Sequence, residues 1–84
     1  MMYEVVAKMT KEPFVEVAVS GNYLQAANYR MLLETAFNSV EVINKDTGEV
    51  IYIHYISTDY FEPQQSISKC FEDLEKLRFA FLER

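Results

Sequence analysis

Several residue types are scarce in this 84-residue chain, and each scarcity excludes a class of protein. A single cysteine, Cys70, excludes an intrachain disulfide and any zinc site built from several cysteines. Two glycines and two prolines leave no segment with the composition of a linker or a disordered tail. No apolar run approaches the ~20 residues of a membrane span, and the N-terminus lacks the pattern of a secretion signal. These absences predict one domain, residues 1–84, in a reducing cytoplasm.

Basic residues are also few, with eight Lys and Arg against thirteen Asp and Glu, for a net charge of −5. The acidic residues are spread along the chain, and no window clusters Lys and Arg. Duplex nucleic acid and anionic membranes attract proteins with a basic face, so both are disfavoured as partners. A mildly acidic surface also keeps a small protein soluble.

Residues that could carry chemistry are isolated from one another. His54 is the only histidine, and Cys70 falls in an apolar helical stripe where a thiol packs as a small hydrophobe. We expect these two residues on opposite sides of the sheet, which separates them. The polar segment 44–49 lacks the ligand spacing of a calcium loop, and the chain contains no glycine-rich phosphate loop and no nucleophile elbow. The sequence therefore predicts a protein that is not an enzyme and binds no metal and no cofactor.

A β-hairpin is the clearest element in the chain. Two β-branched and aromatic runs between Ser39 and Ser57 flank a polar four-residue turn, 45–48, that ends in glycine. This turn length pairs Ile43 with Val50 and Val42 with Ile51. Shifting the register by one residue would place Glu41 among the buried side chains, so burial selects this pairing. The register predicts that one face carries Val40, Val42, Ile51, Ile53 and Tyr55.

A second hairpin is predicted near the N-terminus, where apolar residues alternate over 3–9 and again over 14–20. Placing Met9 opposite Val15 aligns the valines of one face, including Val5 with Val19. The same register pairs Lys8 with Glu16 on the other face. The alignment of the valines and the pairing of opposite charges therefore both favour this register.

A helix is predicted over 23–37, a segment without Gly or Pro that follows the potential cap Asn22. Its helical spacing gives one apolar stripe of Ala26, Tyr29, Leu33, Ala36 and Phe37. A second stripe lies on nearly the opposite side and consists of Leu24, Ala27 and Met31. Two apolar stripes predict a helix that is covered on both sides.

A second helix is predicted after Ser57, with Pro63 in its first turn. Its apolar stripe consists of Ile67, Cys70, Leu74, Leu77 and Phe81, widened by Phe71 and Leu82. Phe79 points away from this stripe and has no obvious partner within the chain.

The element order ββαββα predicts an α+β two-layer sandwich, with a four-stranded, mainly antiparallel sheet and both helices on one face. The strand order stays open at this point. A three-stranded sheet with a detached edge hairpin is an alternative.

The uncovered face of this sheet is too apolar for water and too charged for a core, a mixture typical of an interface. The candidate interface residues are Val6, Ala18, Ile43, Val50, Tyr52, His54 and Ile56, with Phe79 on a separate surface. They predict a non-enzymatic protein-interaction module that self-associates, most simply as a symmetric homodimer.

Two alternatives remain open. The chain has the size and charge of a regulator or inhibitor, of the kind that phages and other mobile elements encode, that binds a larger protein. Single-stranded nucleic acid could also stack on Tyr52 and His54, although the missing basic groove disfavours this function.

Overall fold

The computed structural model describes residues 1–82, and within them the elements follow the predicted order ββαββα. The strands are β1 (Tyr3–Lys8), β2 (Glu16–Gly21), β3 (Ser39–Asn44) and β4 (Val50–Tyr55), and the helices are α1 (Tyr23–Leu33) and α2 (Ile67–Leu82). Neighbouring strands are antiparallel and lie in the order β2-β1-β3-β4. This sheet confirms the α+β sandwich and rules out a detached hairpin.

The register of the first hairpin is as predicted. Val5 lies opposite Val19, Lys8 lies opposite Glu16, and the Met9 amide donates a hydrogen bond to the Val15 carbonyl at 2.9 Å. On its other side β1 pairs with β3, which places Val5 opposite Val42. β1 is therefore an interior strand.

The core lies between one face of the sheet and the two helices. It consists of Val5, Ala7, Val19, Ala26, Tyr29, Leu33, Ala36, Phe37, Val40, Val42, Cys70 and Leu74. The predicted first stripe of α1 is confirmed, since all five of its residues are in this set. Ring contacts of Tyr29 with Phe81 and of Phe37 with Phe71, at centroid distances of 5.9 and 6.2 Å, join this stripe to α2.

α1 begins with a reciprocal cap. The Asn22 side chain accepts a hydrogen bond from the Gln25 amide at 2.9 Å, and the Gln25 side chain accepts one from the Asn22 amide at 2.8 Å. The helix ends at Leu33, earlier than predicted. A turn follows in which the Phe37 amide still bonds to the Leu33 carbonyl at 3.0 Å, so Phe37 remains buried.

α2 begins later than predicted, at Ile67, and Pro63 lies in the loop before it. The physical reason is a better cap, because the Ser66 hydroxyl accepts a hydrogen bond from the Lys69 amide at 3.1 Å. Cys70 and Leu74 are buried as expected, whereas Leu82 is exposed and does not widen the stripe. No helix within residues 1–82 has the length and apolarity that a bilayer crossing requires.

The second hairpin follows the predicted register only as far as its first pair. Ile43 lies opposite Val50 as predicted, and Gly48 supplies the positive φ of +78° that the turn requires. A β-bulge then intervenes, and Val42 lies opposite Tyr52 instead of Ile51. The extra residue reverses the phase of the strand, so Tyr52 faces the helices.

This reversal corrects the predicted core. Ile53 and Tyr55 are 65% and 59% exposed, although the sequence predicted both to be buried beside Val40 and Val42. Ile51 lines a cleft together with Val42 and stays on the helix side, half-exposed. β4 is therefore the strand on which the sequence-based assignment of faces is wrong.

Candidate interaction surface

Tyr52 anchors β4 under α1 through a polar network. Its hydroxyl donates a hydrogen bond to the Glu34 carboxylate at 2.6 Å and accepts one from the Arg30 guanidinium at 3.1 Å. Arg30 also lies over the Tyr52 ring, 4.6 Å from its centroid, and pairs with Glu34 at 3.2 Å. Glu34 follows Arg30 by one helical turn and caps the end of α1, so this helix positions both partners. The bulge brings the Tyr52 hydroxyl to this pair.

The network shifts the titration of Tyr52. The hydrogen bond to Glu34, followed by partial burial, raises the pKa of Tyr52 above its ordinary value. Because the pKa is higher in the folded than in the unfolded chain, neutral Tyr52 stabilises the fold below the unfolded value of about 10. This contribution is lost as the pH rises through the folded pKa.

Replacing Tyr52 with phenylalanine tests the network. We expect Tyr52→Phe to lower the free energy of unfolding at pH 8 by about 1–2 kcal/mol, because a hydrogen bond to a charged group is lost. The variant should lose less stability than the parent between pH 9 and 11, as measured by urea denaturation. Tyr60→Phe, at a side chain that is 82% exposed, is the control and should change neither quantity. Equal pH slopes for Tyr52→Phe and the parent would contradict the prediction.

Two clefts lie on either side of this network, between α1 and β4. One, of about 200 Å³, is lined by apolar groups that include Tyr3, Tyr23 and Ile51. The other, of about 520 Å³, is open and more polar, and His54 and Ile56 line it together with residues of α1 and the loop before α2. The helix layer thus leaves the helix side of β4 partly uncovered.

The outer edge of β4 is bare. Among the described residues, β3 is the only helix or strand whose Cα atoms lie within 8 Å of those of β4. The Ile56 amide donates to the Asn38 carbonyl of the inner neighbour at 2.8 Å. Since inward and outward backbone groups alternate along an antiparallel strand, the amides and carbonyls of Ile53 and Tyr55 point outward. These groups are available to another strand.

The open face of the sheet is most apolar beside β4, although Glu41 of β3 also lies there. Val50 lies beside Ile43, and Ile53 lies beside Glu41. Further from β4 the face carries charged side chains on β1 and β2, namely Glu4, Lys8 and Glu16. The apolar part of the open face therefore adjoins the bare edge.

The structure brings four of the eight predicted interface residues together on this face: Val6, Ala18, Ile43 and Val50. Tyr52, His54 and Ile56 are corrected to the helix side, because the bulge reverses their direction. Tyr52 and His54, on which the sequence analysis placed base stacking, therefore do not lie on the open face. Ile53 and Tyr55 lie on the open face instead, and sequence analysis did not include either of them among the candidate interface residues.

Phe79 lies on a different surface. Its side chain is 58% exposed on α2, and α2 lines a cleft with β2, at the edge of the sheet opposite to β4. The second stripe of α1 also stays open, with Leu24 and Met31 exposed, so residues 1–82 do not provide the second cover that the sequence predicted.

Side chains that could bind a metal or take part in catalysis are few in the part of the chain that the structure describes. No cluster of three His, Cys, Asp or Glu side chains within residues 1–82 has the geometry to hold a metal ion. His54 and Cys70 both belong to the helix side, which corrects their predicted separation by the sheet. Burial raises the pKa of the Cys70 thiol, and its sulfur lies 3.7 Å from the Leu32 carbonyl oxygen, so Cys70 behaves as a protonated core residue.

Comparison of this chain with protein-family models, with curated proteins and with solved structures gives no match, so its function has to be inferred from these surfaces.

Proposed function

We propose that this chain is a small, non-enzymatic protein-interaction module that self-associates, with the outer edge of β4 as its contact surface. The observation that carries the proposal is an uncovered edge strand without charge. The chain contains no Asp, Glu, Lys or Arg from Val50 to Thr58, and the backbone groups of Ile53 and Tyr55 point outward. An exposed edge of this kind pairs readily with another strand.

The two edge strands, β2 and β4, differ in how well they are protected against pairing with another strand. Soluble proteins protect edge strands with charges, prolines, bulges or a covering element. β2 carries Glu16, and an open cleft between β2 and α2 is lined by Glu75 and Arg78. On β4 the bulge near Ile51 is the protective feature, and the strand continues beyond it. Association at β4 is therefore favoured over association at β2.

Burial supplies the energy for association. Ile53 and Tyr55 are more than half exposed, and fully burying a side chain of this size is worth about 1.5–3 kcal/mol. A chain of 84 residues buries a limited share of its surface when it folds alone, so association also supplements its stability.

Light scattering coupled to size exclusion tests the proposal. Across a micromolar concentration series we expect a species of twice the 9.8 kDa chain mass. Ile53→Glu should weaken association at least a hundredfold, because burying an unpaired carboxylate against an apolar strand costs about 3 kcal/mol or more.

Two further variants serve as controls. Phe14→Glu introduces the same charge at a side chain that is 71% exposed in the loop between β1 and β2, and it should leave the dimer intact. Phe79→Glu tests the separate predicted surface on α2 and should also leave it intact. A parent chain that stays monomeric would contradict self-association, and a dimer broken only by Phe79→Glu would assign the interface to α2.

A further inference from the structure

The regular part of β4 is short and centred on His54. After the bulge, Tyr52 lies opposite Val42 and His54 opposite Val40, and the Ile56 amide makes the last inward hydrogen bond. The chain then turns away, since the Ser57 carbonyl accepts hydrogen bonds from the Tyr60 and Phe61 amides at 2.9 and 3.0 Å. The uninterrupted stretch therefore runs from Tyr52 to Ile56.

We infer that two copies of this chain pair antiparallel along β4 about a two-fold axis beside His54, an inference that rests on the proposed self-association. This register makes Ile53 of one copy and Tyr55 of the other a hydrogen-bonded pair. Their side chains meet on the open face, and aromatic with β-branched neighbours are a favourable cross-strand combination. The two His54 residues form the central pair that is not hydrogen-bonded, and they meet on the helix side.

Other symmetric registers lose part of this ladder. Centring the axis on Ile53 would bring Ile51, the bulged residue, into the ladder opposite Tyr55. Centring it on Tyr55 would require Ser57, where the chain turns, to pair with Ile53. The axis at His54 uses the whole stretch from Tyr52 to Ile56 and excludes both irregular ends.

A second copy of this chain is the partner that best matches the absence of charge along the β4 edge. A basic or acidic segment of another protein would find no charge to pair with between Val50 and Thr58. Two copies of a chain with net charge −5 repel each other over most of their surface, and this uncharged edge lets them approach. Joining two sheets at β4 leaves β2 at both outer ends, where Glu16 and the charged side chains that line the adjoining cleft, Glu75 and Arg78, oppose further addition. The assembly therefore closes at two copies.

Disulfide trapping tests the position of the axis. In a pair that is not hydrogen-bonded the two Cα atoms are about 4.5 Å apart, a separation that a disulfide can bridge. His54→Cys should therefore form a covalent dimer under mild oxidation. It should cross-link at least about tenfold faster than Phe14→Cys, because thiols held in a complex react at a millimolar effective concentration. Cys70 is fully buried, so the parent chain sets the background without further substitution.

Ile53→Cys and Tyr55→Cys test the register, since neither residue lies opposite its own copy when the axis is at His54. Both should cross-link more slowly than His54→Cys, because each lies diagonally from its own copy, about 7–8 Å away. If light scattering shows a dimer and either variant cross-links faster than His54→Cys, the register is wrong while the self-association stands. A dimer in which none of the three exceeds the Phe14→Cys rate would place the interface away from β4. A monomer would overturn both the register and the self-association.

Discussion

Phe37→Ala is expected to lower the free energy of unfolding by about 3–5 kcal/mol, which is the range for truncating a fully buried aromatic side chain. Phe37 is completely buried between the end of α1 and the start of β3, and its ring lies 6.2 Å from that of Phe71 on α2. Alanine would leave a cavity where helix, sheet and second helix meet. Such a loss is a large part of the roughly 5–15 kcal/mol that stabilises a natural domain.

Urea denaturation followed by far-UV circular dichroism, at one fixed protein concentration, measures this loss. Phe14→Ala is the matched control, because it removes the same atoms from a side chain that is largely exposed. We expect the control to change stability by less than about 0.5 kcal/mol. Similar losses for the two variants would contradict the assignment of Phe37 to the core.

The first hairpin illustrates what a sequence pattern can determine. One face of this hairpin pairs Val5 with Val19, and the other pairs Lys8 with Glu16, which have opposite charges. Only one register satisfies both the burial and the charge pairing, so the pattern is sufficient. The core stripe of α1 was predictable for the same reason, because one helical face carries the large apolar groups.

β4 illustrates the opposite case. Glu41 fixes which face of β3 is buried, but the residues of β4 are apolar or aromatic on both faces apart from His54, so burial does not fix the phase of β4 beyond the bulge. The observed register brings the Tyr52 hydroxyl into a tertiary contact with Arg30 of α1 and with Glu34, the residue that caps the end of α1. The i,i+4 spacing of Arg30 and Glu34 was visible in the sequence, but nothing local linked that pair to a tyrosine on another element.

The candidate site was predictable only in part. The uncharged run from Val50 to Thr58 is evident in the sequence, but its importance depends on the strand order, which puts β4 at an edge. That order arises because β1 pairs with both β2 and β3, a long-range arrangement that periodicity does not encode. Sequence analysis therefore identified an apolar face of the sheet but did not identify β4 as an edge strand.

Asn38→Leu is expected to lower the free energy of unfolding by about 2–4 kcal/mol, because it leaves several polar groups without partners. The Asn38 side chain is completely buried and has three hydrogen bonds. Its oxygen accepts from the Thr10 amide at 3.0 Å, and its nitrogen donates to the Thr10 hydroxyl at 2.8 Å and to the Ile56 carbonyl at 2.9 Å. Leucine matches the amide in size and makes none of these bonds.

The position of Asn38 links this loss to the proposed interface. Its amide joins the chain after β1 to the residue that follows β4, so the variant should free the end of the pairing edge. Relative to the parent chain, amide hydrogen exchange in Asn38→Leu should accelerate more at Thr10 and Ile56 than at Val5, which lies in the sheet interior. Asn28→Leu removes an amide that bonds only within α1 and should leave these rates unchanged. Uniformly faster exchange in Asn38→Leu would indicate general destabilisation, whereas a local effect accompanied by weaker self-association would tie the order of Ile56 to dimer formation.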